Sequence, residues 1–266
     1  MNNNKILIAI STYKERENIE ELIAKINLDF PSSTILVIND NSNDGTKEAI
    51  QKIANKNLIY LERPKKLGLG TAHKLSIFYA IKFNYDFLVT MDADFSHNPA
   101  HISFLLNKAG TDNFVIGSRF CKGAKSDYTG LRKIISKLGN YASRKLLNIQ
   151  LLEITTYFRV YSVKLLKKLP FNELNAQGYS LGVKLVWFMK KMNANLIEIP
   201  IHFKDRNKGK SKIPKLQIFI SAFDLFIVKL EDIFFKSKFA DKNLTYNFKI
   251  SCEYCKNNFF TLIKNN

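Results

Sequence analysis

Short, β-branched apolar runs recur along the first half of this chain, and each is followed by a stretch with helical apolar spacing. The runs are Lys5–Ser11, Thr34–Asn39, Leu58–Leu61, Asp86–Met91 and Phe114–Ser118. Between them lie Arg16–Ile26, with apolar residues at Ile19, Leu22, Ile23 and Ile26, a helix opening at Thr46, Gly70–Phe83, and about Pro99–Asn107. A run too short for a helix and apolar throughout is a strand covered on both faces. Strand and helix alternating over short connections specify an α/β fold, a doubly wound, mostly parallel sheet with helices on both faces. In such a sheet ligands gather at the carboxyl ends of the strands. The residues just after each run are therefore where chemistry is to be sought.

The most informative of these ends is in Asp86–Pro99, which reads DFLVTMDADFSHNP. Its apolar run stops abruptly at Asp92-Ala93-Asp94. Two carboxylates one residue apart at a strand end offer paired hard oxygen ligands, suited to a divalent cation that also holds a diphosphate. Asp is also common in turns and at helix N-caps, but the helix start at Ser96-His97-Asn98-Pro99 favours the metal. After the second run comes Asp40-Asn41-Ser42-Asn43-Asp44-Gly45, first of all a turn cluster. Asp40 could in addition accept hydrogen bonds from a nucleotide base or ribose. Gly68-Leu69-Gly70 lacks the third glycine of a dinucleotide fingerprint and is expected to be a tight entry into a helix near a phosphate.

Beyond Arg119 the texture changes. Cys121–Gly130 is polar and is expected to be a mobile loop. Leu131–Leu147 is a basic helix with apolar residues at Ile134, Ile135, Leu138, Tyr141, Ala142 and Leu146. Thr155–Ser162 is expected as a strand, Leu181–Met192 as a helix and Leu196–Phe203 as a strand. Lys204–Lys215 is a basic loop, and Leu216–Phe235 carries one apolar helical face interrupted by Asp224 and Lys229. Such a helix can lie on a membrane or pack on the domain. Arg119, Arg132, Ser136 and Arg206 are candidates for holding a phosphate, because Arg forks suit phosphate oxygens and positions 132 and 136 share a helix face. Lys133, Lys137 and Lys145 are expected to be solvated.

The 266 residues suffice for one large domain, and the formal net charge of +18 points to nucleic acid, an anionic membrane surface or phosphorylated substrates. The three cysteines, Cys121, Cys252 and Cys255, make no disulfide framework, and Cys252 with Cys255 supplies only half of a zinc site. The opening MNNNKILIAIS lacks a signal-peptide pattern, and no apolar run is long enough for a transmembrane helix. The four histidines form no metal-ligand spacing.

Taken together, these residues resemble the family-2 glycosyltransferases of the GT-A (Rossmann-like) fold, and among them the polyprenol-phosphate, or dolichol-phosphate, mannosyltransferases. The matching blocks are Ser11–Asn18, Ile38–Thr46, Arg63–Gly70, Met91–Pro99, Gly117–Phe120 and Asp205–Ile213. The resemblance implies a transferase domain over residues 1–213, and the spacing beyond it is expected to give an amphipathic helical extension with a basic tail over 214–266. It implies a GDP- or UDP-linked sugar donor, a Mg²⁺ or Mn²⁺ ion and a polyprenyl phosphate acceptor. It places Ser11, Tyr13, Glu15, Asp40 and Lys66 around the nucleotide, and Asp92 and Asp94 at metal and diphosphate, with Ser96 as a third metal position. Arg119, Arg132, Ser136 and Arg206 would hold the acceptor phosphate. The enzyme would work by inversion on the cytoplasmic face of an anionic membrane as a peripheral protein, without nucleic acid.

The sequence also departs from the pattern. Ser11 replaces an opening proline and Lys14 an asparagine. The Asp-x-Thr-Ser/Thr-Gly-Phe-Arg segment is here Glu153–Arg159, with Tyr157 in place of glycine, and a block with Gln and Glu has Gly182 and Lys184 instead. These changes lead us to expect altered sugar or acceptor specificity. Two rivals remain. A saccharide acceptor would need a general base, for which Asp94 and Glu153 are the candidates. A non-catalytic nucleotide-sugar or nucleic-acid binder is weakly favoured by the charge.

Overall fold

The computed structural model describes residues 4–170, 174, 178–204 and 226–230. The first half runs β1 (Ile6–Thr12), α1 (Ile19–Asp29), β2 (Thr34–Asn39), α2 (Thr46–Gln51), β3 (Leu58–Glu62), α3 (Leu69–Lys82), β4 (Phe87–Asp92), α4 (His101–Leu106) and β5 (Asn113–Ser118). The second half adds β6 (Lys125–Ser126), α5 (Gly130–Leu146), β7 (Arg159–Ser162), α6 (Val163–Leu166), α7 (Gly178–Lys191), β8 (Asn195–Pro200) and β9 (His202–Phe203).

Seven strands form one sheet in the order β3-β2-β1-β4-β7-β5-β8. All its pairings are parallel except those of β7, which runs antiparallel between β4 and β5. The alternation of side chains explains why the strands are apolar throughout. Leu7, Leu36 and Leu88 face a core shared with α3 and α7, while Ile8, Ile35 and Val89 face a second core shared with α1 and α4. Ile19, Leu22, Ile23 and Ile26 are the buried face of α1. The chain moves outward from β1 to β2 and β3, then returns to place β4 on the other side of β1. The switch point is therefore at the carboxyl ends of β1 and β4, where Ser11 stands in register with Asp92.

The second half differs from expectation in local ways. The strand expected from Thr155 starts at Arg159, because Glu153 gathers the preceding backbone into a turn. The strand expected over Leu196–Phe203 divides at Ile201, and β9 leaves the main sheet to pair with β6. The polar stretch Cys121–Gly130 is thus partly strand. Most of the Lys204–Lys215 loop and of the Leu216–Phe235 helix, including Arg206, lies outside the described residues. Residues 226–230 are helical, and Val228 is buried against the α3–α7 core. No helix among the described residues is long and apolar enough to cross a membrane.

Candidate active site

Three loops meet at the switch point. The one after β1 turns sharply, with Lys14 in the left-handed region at φ 58°. The Lys14 amide donates to Ser42 Oγ at 2.8 Å, and that hydroxyl donates to Asn39 Oδ1 at 2.6 Å, so the loops after β1 and β2 are tied together. Glu15 is buried. Its carbonyl accepts the amides of Asn18 and Ile19 at 3.0 Å, and its Oε2 accepts from Asn18 Nδ2 at 2.8 Å. Asp44 accepts from the Thr46 hydroxyl and from the Arg16 and Thr46 amides. Burial pushes its carboxyl up, and these hydrogen bonds outweigh that and leave it below the ordinary carboxylate range. Tyr13 is half-buried, and the ammonium of Lys66 sits 4.1 Å from its ring centroid.

Asp40, at the end of β2, organises the third loop. Its Oδ1 accepts the Leu67 amide at 2.7 Å and pairs with Arg63 Nη2 at 2.6 Å, while its Oδ2 accepts the Gly68 amide at 2.8 Å. Arg63 is buried and also donates to the Gly68 carbonyl at 2.9 Å and to Thr71 Oγ1. Gly68 has φ 88°, a conformation that L side chains rarely adopt. The loop from Arg63 to Gly68 is thereby clamped beside Tyr13 and Lys66.

At the end of β4 the two carboxylates differ. Asp92 has a side chain 34% exposed, whereas Asp94 is 8% exposed and its Oδ1 accepts the Ser96 hydroxyl at 2.6 Å and the Ser96 amide at 3.2 Å. The Asp92 amide donates to His97 Nδ1 at 3.0 Å. That fixes the proton on Nε2, which donates to Thr156 Oγ1 at 3.0 Å. The imidazole is buried, stacked on Phe158 at 4.9 Å and edge-on to Phe203 at 5.5 Å. Burial pushes its pKa down to about 3, with Arg119 adding to the effect and Asp94 opposing it, so the ring is neutral at physiological pH.

Through Thr156 the carboxylate side joins a second cluster. Glu153 is fully buried and pairs through Oε2 with Arg119 Nε at 2.6 Å, while Arg119 Nη2 donates to Thr155 Oγ1 at 2.9 Å. Glu153 Oε1 accepts the amides of Thr155 and Thr156 and the Thr155 hydroxyl. Burial raises its carboxyl, but the Arg119 charge and these hydrogen bonds more than offset it and hold it below the ordinary range. Asn140 of α5 accepts the Ile154 amide at 2.9 Å and donates to Thr155 Oγ1 at 3.1 Å. A groove of about 460 Å³ opens outside Arg119, between α5 and the Phe120–Ser126 segment.

Asp92 and Asp94 suit a hard divalent cation, which typically takes one or two carboxylates plus water and substrate phosphate oxygens. Asp92 is open enough to ligate, and Asp94 is oriented by Ser96. No group of three or more His, Cys, Asp or Glu side chains that could hold a metal ion occurs among the described residues. A cation held by these two carboxylates would take its remaining ligands from water or a bound substrate. The Ser96 hydroxyl, expected as a third metal position, donates to Asp94 and orients it.

The model of the family described as glycosyl transferase family 2 matches residues 7–170, which span β1 through α6 and every loop just described. The chain belongs to glycosyl transferase family 2. A polyprenol monophosphomannose synthase of Mycolicibacterium smegmatis is 33% identical over 215 residues, covering 79% of this chain and 81% of that protein. An undecaprenyl-phosphate mannosyltransferase of Micrococcus luteus is 32% identical over 212 residues, covering 79% and 87%. The fold also resembles that of a glucosyl-3-phosphoglycerate synthase from Mycobacterium tuberculosis in complex with Mn²⁺, uridine diphosphate and phosphoglyceric acid. The TM-score is 0.60 at 19% identity, over 86% of this chain and 78% of that one. The fold is GT-A and the protein is a glycosyltransferase.

In this family-2 enzyme the sheet brings Ser11, Tyr13, Glu15, Asp40, Lys66, Asp92, Asp94 and Ser96 to one end, with Arg119 close by through His97 and Thr156. Glu15 and Asp40 are largely engaged in holding their own loops. Ser136 lies half-buried on α5, the side chain of Arg132 is outside the described residues, and so is Arg206. The departures at Tyr157, Gly182 and Lys184 prove to be in the core, whereas Ser11 is half-buried and Lys14 exposed. Tyr157 is 2% exposed and stacks on His73 at 3.7 Å, and a Cβ at Gly182 would stand 3.2 Å from the Tyr157 ring. Lys184 is likewise 2% exposed rather than turned to solvent. His97, Thr156, Arg63 and Asn140 were not foreseen. For His97 the available signal was its place three residues after Asp94, at a strand-to-helix turn.

Proposed function

We propose that the enzyme transfers a sugar, mannose first among candidates, from a GDP- or UDP-linked donor onto a polyprenyl phosphate, with inversion, at the cytoplasmic face of a membrane. The observation that carries this reading is the buried bridge His97–Thr156. It joins an acidic strand end, Asp92 and Asp94, to the Arg119–Glu153 pair, so leaving group and acceptor would be served from one frame. The names of the two curated relatives support the same acceptor class.

On this reading the nucleotide lies over Ser11, Tyr13 and the Arg63–Gly68 loop, with Lys66 near the donor. A divalent cation, Mg²⁺ or Mn²⁺, held by Asp92 and Asp94 supplies charge neutralisation for the departing diphosphate. Arg119, with Arg132, Ser136 and Arg206, orients the acceptor phosphate. One phosphate oxygen forms the bond to the anomeric carbon as the bond to the donor diphosphate breaks, and the electron pair leaves with the nucleotide. The attacking oxygen is already anionic, so no general base is required. A saccharide acceptor is disfavoured on a specific observation: Glu153 is locked to Arg119 with a lowered pKa, a poor proton acceptor.

The test is transfer from GDP-mannose, and from other nucleotide sugars, to short-chain polyprenyl phosphates with and without chelator. Transfer that needs both the phosphate and a divalent ion, and that is lost in Asp94→Asn, is expected. Equal transfer to a free saccharide, or full activity with chelator, would overturn the reading.

A further inference from the structure

Most of the sharp turns in this chain are made by residues suited to them. Among the described residues six other than glycine have a positive φ, and four of these, Asn41, Asn84, Asn148 and Asn193, are asparagines, whose short polar side chain tolerates the left-handed region. Lys14 is exposed, which leaves Phe95 as the one bulky apolar side chain of the six. It has φ 61° directly after Asp94, where a side chain of that size is an outlier. Such a conformation persists only where the surroundings over-determine it. Here the surroundings are the core shared by α1 and α4, in which Phe95 is buried with Met91 and Ile102. The ammonium of Lys25, on α1, lies over the ring at 4.9 Å from its centroid.

The left-handed residue turns the chain back on itself. Ser96 then brings both its amide, at 3.2 Å, and its hydroxyl, at 2.6 Å, to Asp94 Oδ1. His97 comes round as well, so that its Nδ1 accepts the Asp92 amide at 3.0 Å. An extended Phe95 would carry Ser96 away from Asp94 and leave that carboxylate to turn. The conformation that costs the fold something is thus the one that sets the direction of Asp94. Strain held at the ligand end of a sheet points to a use there.

We propose that Phe95 is a positioning residue for a divalent cation at Asp92 and Asp94: its ring, anchored in the α1–α4 core, holds the left-handed turn and so keeps Asp94 aimed before the ion arrives. The proposal rests on the reading of Asp92 and Asp94 as the cation's carboxylates and adds to it the group that prearranges one of them. Prearrangement raises affinity by cutting the cost of ordering a ligand on binding. Because the ring acts through the turn, its effect belongs in the dissociation constant of the ion and not in turnover once the site is filled.

The test uses the full chain and titrates Mn²⁺ in the presence of GDP, and separately of UDP, following the free ion by electron paramagnetic resonance. Phe95→Ala should raise the dissociation constant of Mn²⁺ about tenfold, the scale typical of groups that orient metal ligands, and leave ion-free nucleotide binding unchanged. Phe95→Gly accepts the turn without cost but cannot hold it, and should lose Mn²⁺ to a similar degree. Phe95→Leu keeps a smaller apolar anchor and should lose less than either. Ile35→Ala cuts the same core near the amino end of β2, and should lower the melting temperature without moving the Mn²⁺ constant. In transfer assays Phe95→Ala should need more Mn²⁺ for half-maximal rate and reach nearly the wild-type rate at saturation. Wild-type Mn²⁺ affinity in Phe95→Ala, or in Phe95→Leu should the alanine variant not fold, would overturn the proposal and leave the carboxylates their role. So would wild-type affinity in Phe95→Gly, since the turn would then need no anchor, or an equal loss in Ile35→Ala, which would make the effect one of general loosening. If the wild-type protein binds nucleotide identically with and without Mn²⁺, the cation reading itself fails and the proposal falls with it.

Discussion

At the scale of single residues, His97 and Tyr157 show what the sequence could and could not tell. Asp92, Asp94 and Arg119 could be singled out because each follows an apolar run, at the strand end where such a sheet gathers ligands. His97 was not, because its role depends on Thr156, 59 positions away. The ring's pKa is pushed down to about 3 by burial, against an ordinary value of 6.5. Above 6.5 the ring is neutral in folded and unfolded chains alike. As pH falls below that, the unfolded chain takes up a proton that the folded ring refuses, so stability is lost progressively down to about 3. Urea unfolding at several pH values between 4 and 6 should show His97→Asn losing a slope that approaches about 1.4 kcal/mol per pH unit at the acid end. An unchanged slope would mean that the ring is not held neutral. Tyr157 carries the opposite lesson. Read alone, a tyrosine replacing glycine suggested a changed ligand site, but its ring occupies the space left by Gly182, a compensation invisible until the two are seen in contact. Gly182→Gln alone should destabilise by about 1–3 kcal/mol through overpacking, and Tyr157→Gly by about 3–5 kcal/mol through the cavity it leaves. Thermal or denaturant melts of the double variant should show a loss smaller than the sum. Strict additivity would refute the pairing.

At the scale of elements, the strands and helices of the first half follow from local pattern, because each buries apolar residues at its own period. The turn at Glu153–Phe158 does not, since a single carboxylate overrides an alternating sequence by collecting the backbone amides and hydroxyls around it. Nor does β7 declare its direction, because a strand's apolar content is the same whichever way it runs. The orientation of α5 was also hidden: its periodicity gives an apolar face, but only the packing shows that this face points outward. The Arg63–Gly68 loop carries Lys66 beside Tyr13, and Asp40 is its anchor. Removing one partner of a buried pair leaves the other charge uncompensated, a loss of about 3–5 kcal/mol. Asp40→Ala should therefore lower the melting temperature and weaken nucleotide binding together, because the loop beside Tyr13 and Lys66 loses its clamp. If calorimetry finds weaker binding with stability intact, Asp40 acts on the nucleotide directly and its loop role is secondary.

At the scale of the whole molecule, the sheet's switch point places the loops after β1, β2 and β3 and Asp92 and Asp94 at one end, and the antiparallel β7 carries the Glu153–Phe158 turn to the same end. A ligand that bridges these loops ties together strands β1, β2 and β4 and so resists global unfolding, not only local opening. For a ligand at a hundred times its dissociation constant the gain is about 2.7 kcal/mol, which in a chain of this size raises the melting temperature by roughly 5–10 °C. The cation is expected to link the diphosphate to Asp92 and Asp94, so most of that gain should need Mn²⁺ or Mg²⁺ together with the nucleotide. Thermal melts with GDP and with UDP, each with and without Mn²⁺, decide the matter. The correct nucleoside diphosphate should raise the melting temperature in the presence of the ion and much less in its absence. The other base should give a smaller shift, which identifies the donor. Asp94→Asn should retain the small ion-free shift and lose the remainder, because the loops around Tyr13 and Asp40 still hold the nucleoside while the diphosphate has lost its bridge. Equal shifts with and without the ion in the wild-type protein would separate nucleotide binding from the carboxylate pair, leaving Asp92 and Asp94 with no part in holding the donor.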